Sequence, residues 1–158
     1  MKKDRDDTFN KKIYECQKHI EKLHDAKEYL QNIIPLTVES YQNIDKIESS
    51  FIDQLIFRFS KLQDTIGESI LRGILIKSKE NVEKMTFIDI LNKLEKLGIL
   101  NKYQWLELRE VRNEIAHEYS YNPDEVVDNI NLVYKKSDEL IEIYYKLHNF
   151  IEIRLTES

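Results

Sequence analysis

A chain of 158 residues with only three glycines, two prolines and 34% charged residues has little room for the turns a sheet protein needs, and fits long helices with solvated outer faces. Its net charge of −5 argues against tight, non-specific binding to nucleic-acid phosphates. No apolar run approaches the roughly 20 residues that span a bilayer, and the stretch from Met1 to Asp7 lacks the apolar core of a signal peptide, so no membrane partner is expected. The single Cys16 excludes an internal disulfide and fits a reducing cytoplasm, where it serves as a small packing residue.

In chain order, a first helix is predicted from about Thr8 to Ile33, capped by Asp6, Asp7 or Thr8 and stopped by Pro35. Ile13, Cys16, Ile20, Leu23, Ala26, Leu30 and Ile34 form its apolar stripe. A second helix covers roughly Ile44 to Ile76, with Phe51, Leu55, Phe59, Leu62, Ile66, Ile70 and Ile74 near one face. Gly67 and Gly73 inside that pattern mark a close approach of another helix. The charged stretch from Lys77 to Lys84 reads as a loop. Thr86 to Asp89 reads as a capping box opening a short third helix, and Gly98 stands where a left-handed C-terminal cap is wanted.

A fourth helix is predicted from about Lys102 to Tyr119. Asn122, Pro123 and Glu125 supply cap, first helical residue and reach-back for a fifth helix running to about Arg154. Val126, Ile130, Val133, Leu140, Ile143 and Leu147 are its expected buried positions. There is no internal repeat, so residues 1–158 read as one domain. Short connections force neighbouring helices to alternate in direction, which makes the fold class all-α, an antiparallel bundle of about five helices.

Charge is uneven along the chain. Residues 55–112 carry 11 basic and 8 acidic groups, a mildly basic +3, whereas residues 113–158 carry 4 and 10. No dense basic patch results, but a site gripping a few phosphates is compatible with this distribution.

The chemistry concentrates on the fourth helix, between Arg112 and Tyr119. Trp105, Leu108, Arg112, Ile115 and Tyr119 follow the three-then-four spacing of a buried seam, so Arg112 occupies a position that asks for an apolar residue. A guanidinium keeps its charge, and burying it unpaired is costly. Arg112 therefore has a fixed carboxylate partner or faces a cleft that takes an anion. At about 100° per residue, Arg112 and Tyr119 lie within about 20° of each other, Asn113 and His117 about 40° apart, and Arg112 and His117 about 140° apart. One helix splays these groups around a corner; two copies about a two-fold axis could converge them on one groove. An imidazole both takes and gives a proton near neutral pH. A guanidinium suits a phosphate and the extra charge of a pentacoordinate transition state. The set suits metal-independent RNA cleavage by the 2′-hydroxyl. A purely structural reading remains beside it, with Arg112 paired to a core carboxylate and His117 capping a carbonyl.

Arg112, His117 and Tyr119, as Arg-x4-His-x-Tyr with Asn113 after the arginine, resemble the motif of HEPN-domain proteins, and of HepT-type toxins in particular. The segments from Phe57 to Gly67 and from Thr86 to Gly98 are similar to HepT-like helical proteins, so the resemblance covers most of residues 50–125. It implies a HEPN-like homodimer acting as a metal-independent endoribonuclease without cofactor, the RNA-cleaving toxin of a type VII toxin–antitoxin pair, with tRNA among the candidate substrates. His117 would be general acid/base, Arg112 the phosphate ligand and Asn113 an orienting group. The partner implied is a minimal nucleotidyltransferase antitoxin, which would silence the nuclease by transferring AMP to Tyr119. The competing expectation is a non-catalytic helical subunit that presents substrate to a nucleotidyltransferase; a third is a structural bundle.

Lesser candidates complete the reading. Arg58, Lys61 and Asp64 could line the same groove, or Arg58 and Asp64 could form an ion pair. His19 and His24 lack the convergent ligands of a zinc site, and no metal is expected.

Overall fold

A computed structural model describes residues 2–115 and 121–155. Helix α1 spans Lys2–Leu30, α2 Val38–Gln42, α3 Lys46–Thr65, α4 Leu71–Lys77, α5 Phe87–Lys96, α6 Lys102–Ile115 and α7 Pro123–Phe150. A π turn at Ile66–Ile70 joins α3 to α4 without a break, and another at Ile151–Leu155 ends α7. The described residues form no strand, in keeping with the all-α expectation, and none of their helices is long and apolar enough to cross a membrane.

The predicted punctuation is present where side chains can satisfy helix ends. Thr86 accepts from the Asp89 amide while Asp89 accepts from that of Thr86. Gly98 adopts φ +78°, and the amides of Gly98 and Ile99 close onto Glu95 and Leu94, the paired bonds of a left-handed cap. Asn122 caps α7 through the Asp124 amide, with Pro123 in the first turn.

Three expectations change. Helix α1 begins well before Thr8; the Thr8 hydroxyl donates to the Asp4 carbonyl inside the helix instead of capping it. The segment after Pro35 contains α2, opened by a capping box between Thr37 and Ser40. The long second helix starts at Lys46, capped by Asp45 with Glu48, and passes through a π turn.

Cross-helix contacts fix the directions. Gln54 reaches the Lys22 carbonyl, Arg58 meets His19, and Lys77 pairs with Asp6, so α1 and α3–α4 are antiparallel. Gln104 pairs with Glu139 and Glu107 with Lys136, so α6 and α7 are antiparallel too. Helices α3 and α7 touch each other, and α1 and α6 each pack against both. Phe59 and Leu62 of α3 and Leu140 and Leu147 of α7 are fully buried, as are Leu23 of α1 and Trp105 of α6. Both internal glycines sit at close approaches. A Cβ on Gly67 would lie 3.1 Å from Trp105 Cζ2, and one on Gly73 2.4 Å from the Phe9 ring.

Lysine 27 pins α1 to α7. Its ammonium donates to the Tyr134 carbonyl and to Ser137 Oγ (2.9 Å), lies 3.8 Å from the centre of the Tyr134 ring and pairs with Asp138. Burial nevertheless lowers its pKa, against the opposing pull of Asp138. The network satisfies Ser137, one of the few polar residues of the core.

Candidate functional site

Helix α6 carries Arg112 onto the apolar seam foreseen from spacing: Trp105, Leu108 and Ile115 are buried and Arg112 is partly so. The charge is met from α3. Arg112 Nε donates to Asp64 Oδ1 at 3.1 Å and Nη2 to Asp64 Oδ2 at 3.0 Å, a bidentate fork that fixes the guanidinium plane. The first alternative posed for a seam arginine, a fixed carboxylate partner, holds, and the pair also stands at the edge of open space.

That space is a concavity of about 600 Å³. Tyr41 of α2, a row along α3 that includes Ile56, Phe57, Lys61 and Asp64, and Val126, Asn129 and Ile130 of α7 line it with Arg112 and Ile115. Its surface is mixed: apolar side chains, half-exposed Phe57 among them, stand beside the Lys61 ammonium and the Arg112–Asp64 pair. It lies at the C-terminal end of α6 and the N-terminal end of α7. His117 and Tyr119 fall between those ends and lie outside the described residues.

Among the groove-lining candidates, Lys61 and Asp64 share this concavity with Arg112. Arg58 does not line it. Six residues along a helix is about 240° around the axis, so Arg58 and Asp64 face different ways and no ion pair joins them: Asp64 is taken by Arg112, and Arg58 Nη1 sits 3.0 Å from His19 Nδ1. Burial, then the Arg58 charge, lowers the His19 pKa below its usual value, which keeps the imidazole neutral and able to accept from the guanidinium. His24 is exposed on α1.

Asn113 is exposed and lines a second cavity, of about 500 Å³, on the other side of the ion pair. Arg112 and Asp64 line both; the pair is the partition between them. Arg72, Arg109, Trp105 and Gln63 belong to this second cavity; of these only Trp105 stands out in the sequence, as a seam residue. Arg109 sits four residues after Trp105 and three before Arg112, and that spacing was the available signal.

Cys16 is fully buried, and burial with the nearby Glu15 pushes its thiol up to about 12. It is a packing residue without nucleophilic character at neutral pH.

Comparison with known proteins finds no family model that matches the chain, no curated protein similar to it and no solved structure that matches its fold. The functional reading therefore rests on the residues and their geometry.

Proposed function

We propose that this protein is a homodimeric, metal-independent endoribonuclease, HEPN-like in fold and HepT-like in its motif, and the toxin partner of a minimal nucleotidyltransferase. The observation that carries the reading is the placement of Arg112. A permanently charged group on a helical seam, oriented by Asp64 and bordering an open concavity, suits a phosphate ligand better than a packing residue. Asp64 uses only the Nε/Nη2 edge; the Nη1 side lies outside that fork.

In the proposed reaction His117 removes the proton from a ribose 2′-hydroxyl, whose oxygen attacks the adjacent phosphorus. The new P–O2′ bond forms as the P–O5′ bond breaks, and the departing 5′-oxygen takes a proton from imidazolium. The products are a 2′,3′-cyclic phosphate and a 5′-hydroxyl. Arg112 balances the charge gathered on the phosphorane oxygens, and Asn113 orients the imidazole. Helical spacing alone would set Arg112 and His117 about 140° apart, so in this proposal a second chain completes the site, with the concavity at the end of α6 as the face it shares. Silencing follows from the same geometry: the Tyr119 oxygen attacks the α-phosphorus of ATP, pyrophosphate leaves, and the bound adenylate competes with substrate for Arg112.

A second reading is favoured by one feature. Asp64 already neutralises Arg112, as a binding subunit that presents substrate to a nucleotidyltransferase would tolerate. Total RNA incubated with chelator separates the two. The nuclease reading predicts cyclic-phosphate ends with wild type and none with His117→Ala of unchanged fold and oligomeric state. The subunit reading predicts intact RNA with both, while a partner nucleotidyltransferase and ATP still raise the intact mass of wild type but not of Tyr119→Phe.

A further inference from the structure

The second cavity contains three guanidiniums. Arg112 is neutralised by Asp64 at its wall. The other two, Arg72 and Arg109, form no ion pair with any described residue. Arg72 Nη1 donates to the Val82 carbonyl at 3.3 Å, and the Arg109 guanidinium lies 4.7 Å from the centre of the Phe87 ring. Both contacts hold a guanidinium in place without cancelling its charge. Glu68 also lines the cavity; with Asp64 and Arg112 cancelling, the remaining three charges, Arg72, Arg109 and Glu68, leave an excess of one positive charge.

The cavity also exposes an unmet need. Gln63 and Trp105 line this space, and Gln63 Oε1 and Trp105 Nε1, both buried from solvent, find no hydrogen-bond partner among the described residues. A buried polar atom without a partner costs free energy that a ligand or water would restore. The π turn belongs to the same construction. Single π turns inside α-helices recur at functional sites, and this one sets Gly67 against the indole and Glu68 on the cavity wall.

We propose that this cavity is a second phosphate subsite for the RNA strand, held by Arg72 and Arg109 and continuous with the reaction cleft across Arg112. The inference rests on the nuclease reading for its substrate. The strand runs from the α7 side of the ion pair to the α5 side, with one phosphate at Arg112 and a neighbouring one between Arg72 and Arg109. Asn113 also lines this cavity.

Trp105 is the only tryptophan in the chain and lines the subsite, so its emission reports occupancy directly. The probe is a 2′-O-methyl oligoribonucleotide, which lacks the attacking hydroxyl and cannot be cleaved, titrated in chelator into the protein. Binding should change Trp105 emission. Arg72→Gln and Arg109→Gln should each weaken it about fivefold to tenfold, and the two together should flatten the log–log salt dependence by about 0.7, the share of one single-strand phosphate contact. Arg109→Lys should restore the salt slope while recovering only part of the affinity. Equal affinities in wild type and both Gln variants would overturn the subsite, as would AMP or inorganic phosphate saturating the signal at lower concentration than the oligonucleotide. Total RNA incubated with wild type, read apart from probe binding, separates the two claims: probe binding that depends on both arginines without RNA cleavage would keep the subsite and remove the nuclease. RNA cleavage with unaltered binding by the arginine variants would retain the nuclease and remove the subsite.

Discussion

The Arg112–Asp64 fork can be measured by a double-mutant cycle of Arg112→Ala and Asp64→Ala. Two unit charges about 4 Å apart attract by about 4 kcal/mol at an effective dielectric near 20 and by about 1 kcal/mol in bulk water. The Arg112 side chain is 26% exposed and that of Asp64 34%, so water screens much of the attraction, and ordering two side chains takes back more. Bidentate geometry at 3.0 and 3.1 Å keeps the pair above a loose surface contact. The coupling free energy should come to about 1–2 kcal/mol by urea denaturation at low salt. Near ~1 M salt, where the screening length shrinks to about 3 Å, it should fall by about half. A coupling near zero at low salt would refute the claim that Asp64 holds the guanidinium in place.

Other expectations follow from single contacts. His19 is held neutral against Arg58, so its folded pKa lies below the unfolded value near 6.5. The unfolded chain then binds the proton first, and stability contributed by this group is complete above about pH 6.5 and lost as pH falls toward the depressed folded value. His19→Gln should flatten that part of the urea midpoint profile; an unchanged profile would show that the imidazole carries no such penalty. Cys16, fully buried with its thiol pushed up to about 12, should react with a chromogenic disulfide reagent only as fast as the bundle opens, and rapid stoichiometric labelling of native protein would contradict its placement. Gly73→Ala should cost about 1–3 kcal/mol by forcing the Phe9 ring aside. Phe9→Leu in the same chain should recover part of it, and additive losses would argue against the contact.

Much of the fold was readable because helix ends and apolar stripes are local. Thr86, Gly98 and Asn122 each act on backbone groups within a few residues. The stripe from Cys16 to Leu30 needs only the helical period to be found. Helix α2 escapes a sequence reading because one short turn shows no periodicity; the Thr37–Ser40 box opens it, and its packing on α7 is not local. The start of α1 was missed because Thr8 looks like a cap until its hydroxyl is seen to bond back into the helix. The π turn did leave a trace. Leu62, Ile66, Ile70 and Ile74 are spaced by three successive fours, which drift by about 40° per step around an ideal helix; a wider turn at Ile66–Ile70 absorbs that drift and keeps all four buried.

The site was half legible. Spacing alone put Arg112 where only a partner or a cleft could justify it, but Asp64 lies 48 residues away in sequence, and no local pattern selects it over Glu68 or Glu110. Arg58 was grouped with Asp64 because they are close in sequence, although the helix turns them apart. Arg72 and Arg109 converge only through the packing of α4, α5 and α6, which the sequence does not display.

The central claim, that Arg112 is the phosphate ligand of a nuclease and Asp64 its positioning residue, is tested most directly by single-turnover RNA cleavage in chelator. Wild type, Arg112→Ala and Asp64→Asn would be compared at matched fold and oligomeric state. Loss of a transition-state donor typically costs about 10²–10³-fold in rate, so Arg112→Ala should fall by that much and Asp64→Asn by about tenfold. Cleavage by Arg112→Ala at the wild-type rate would contradict the account.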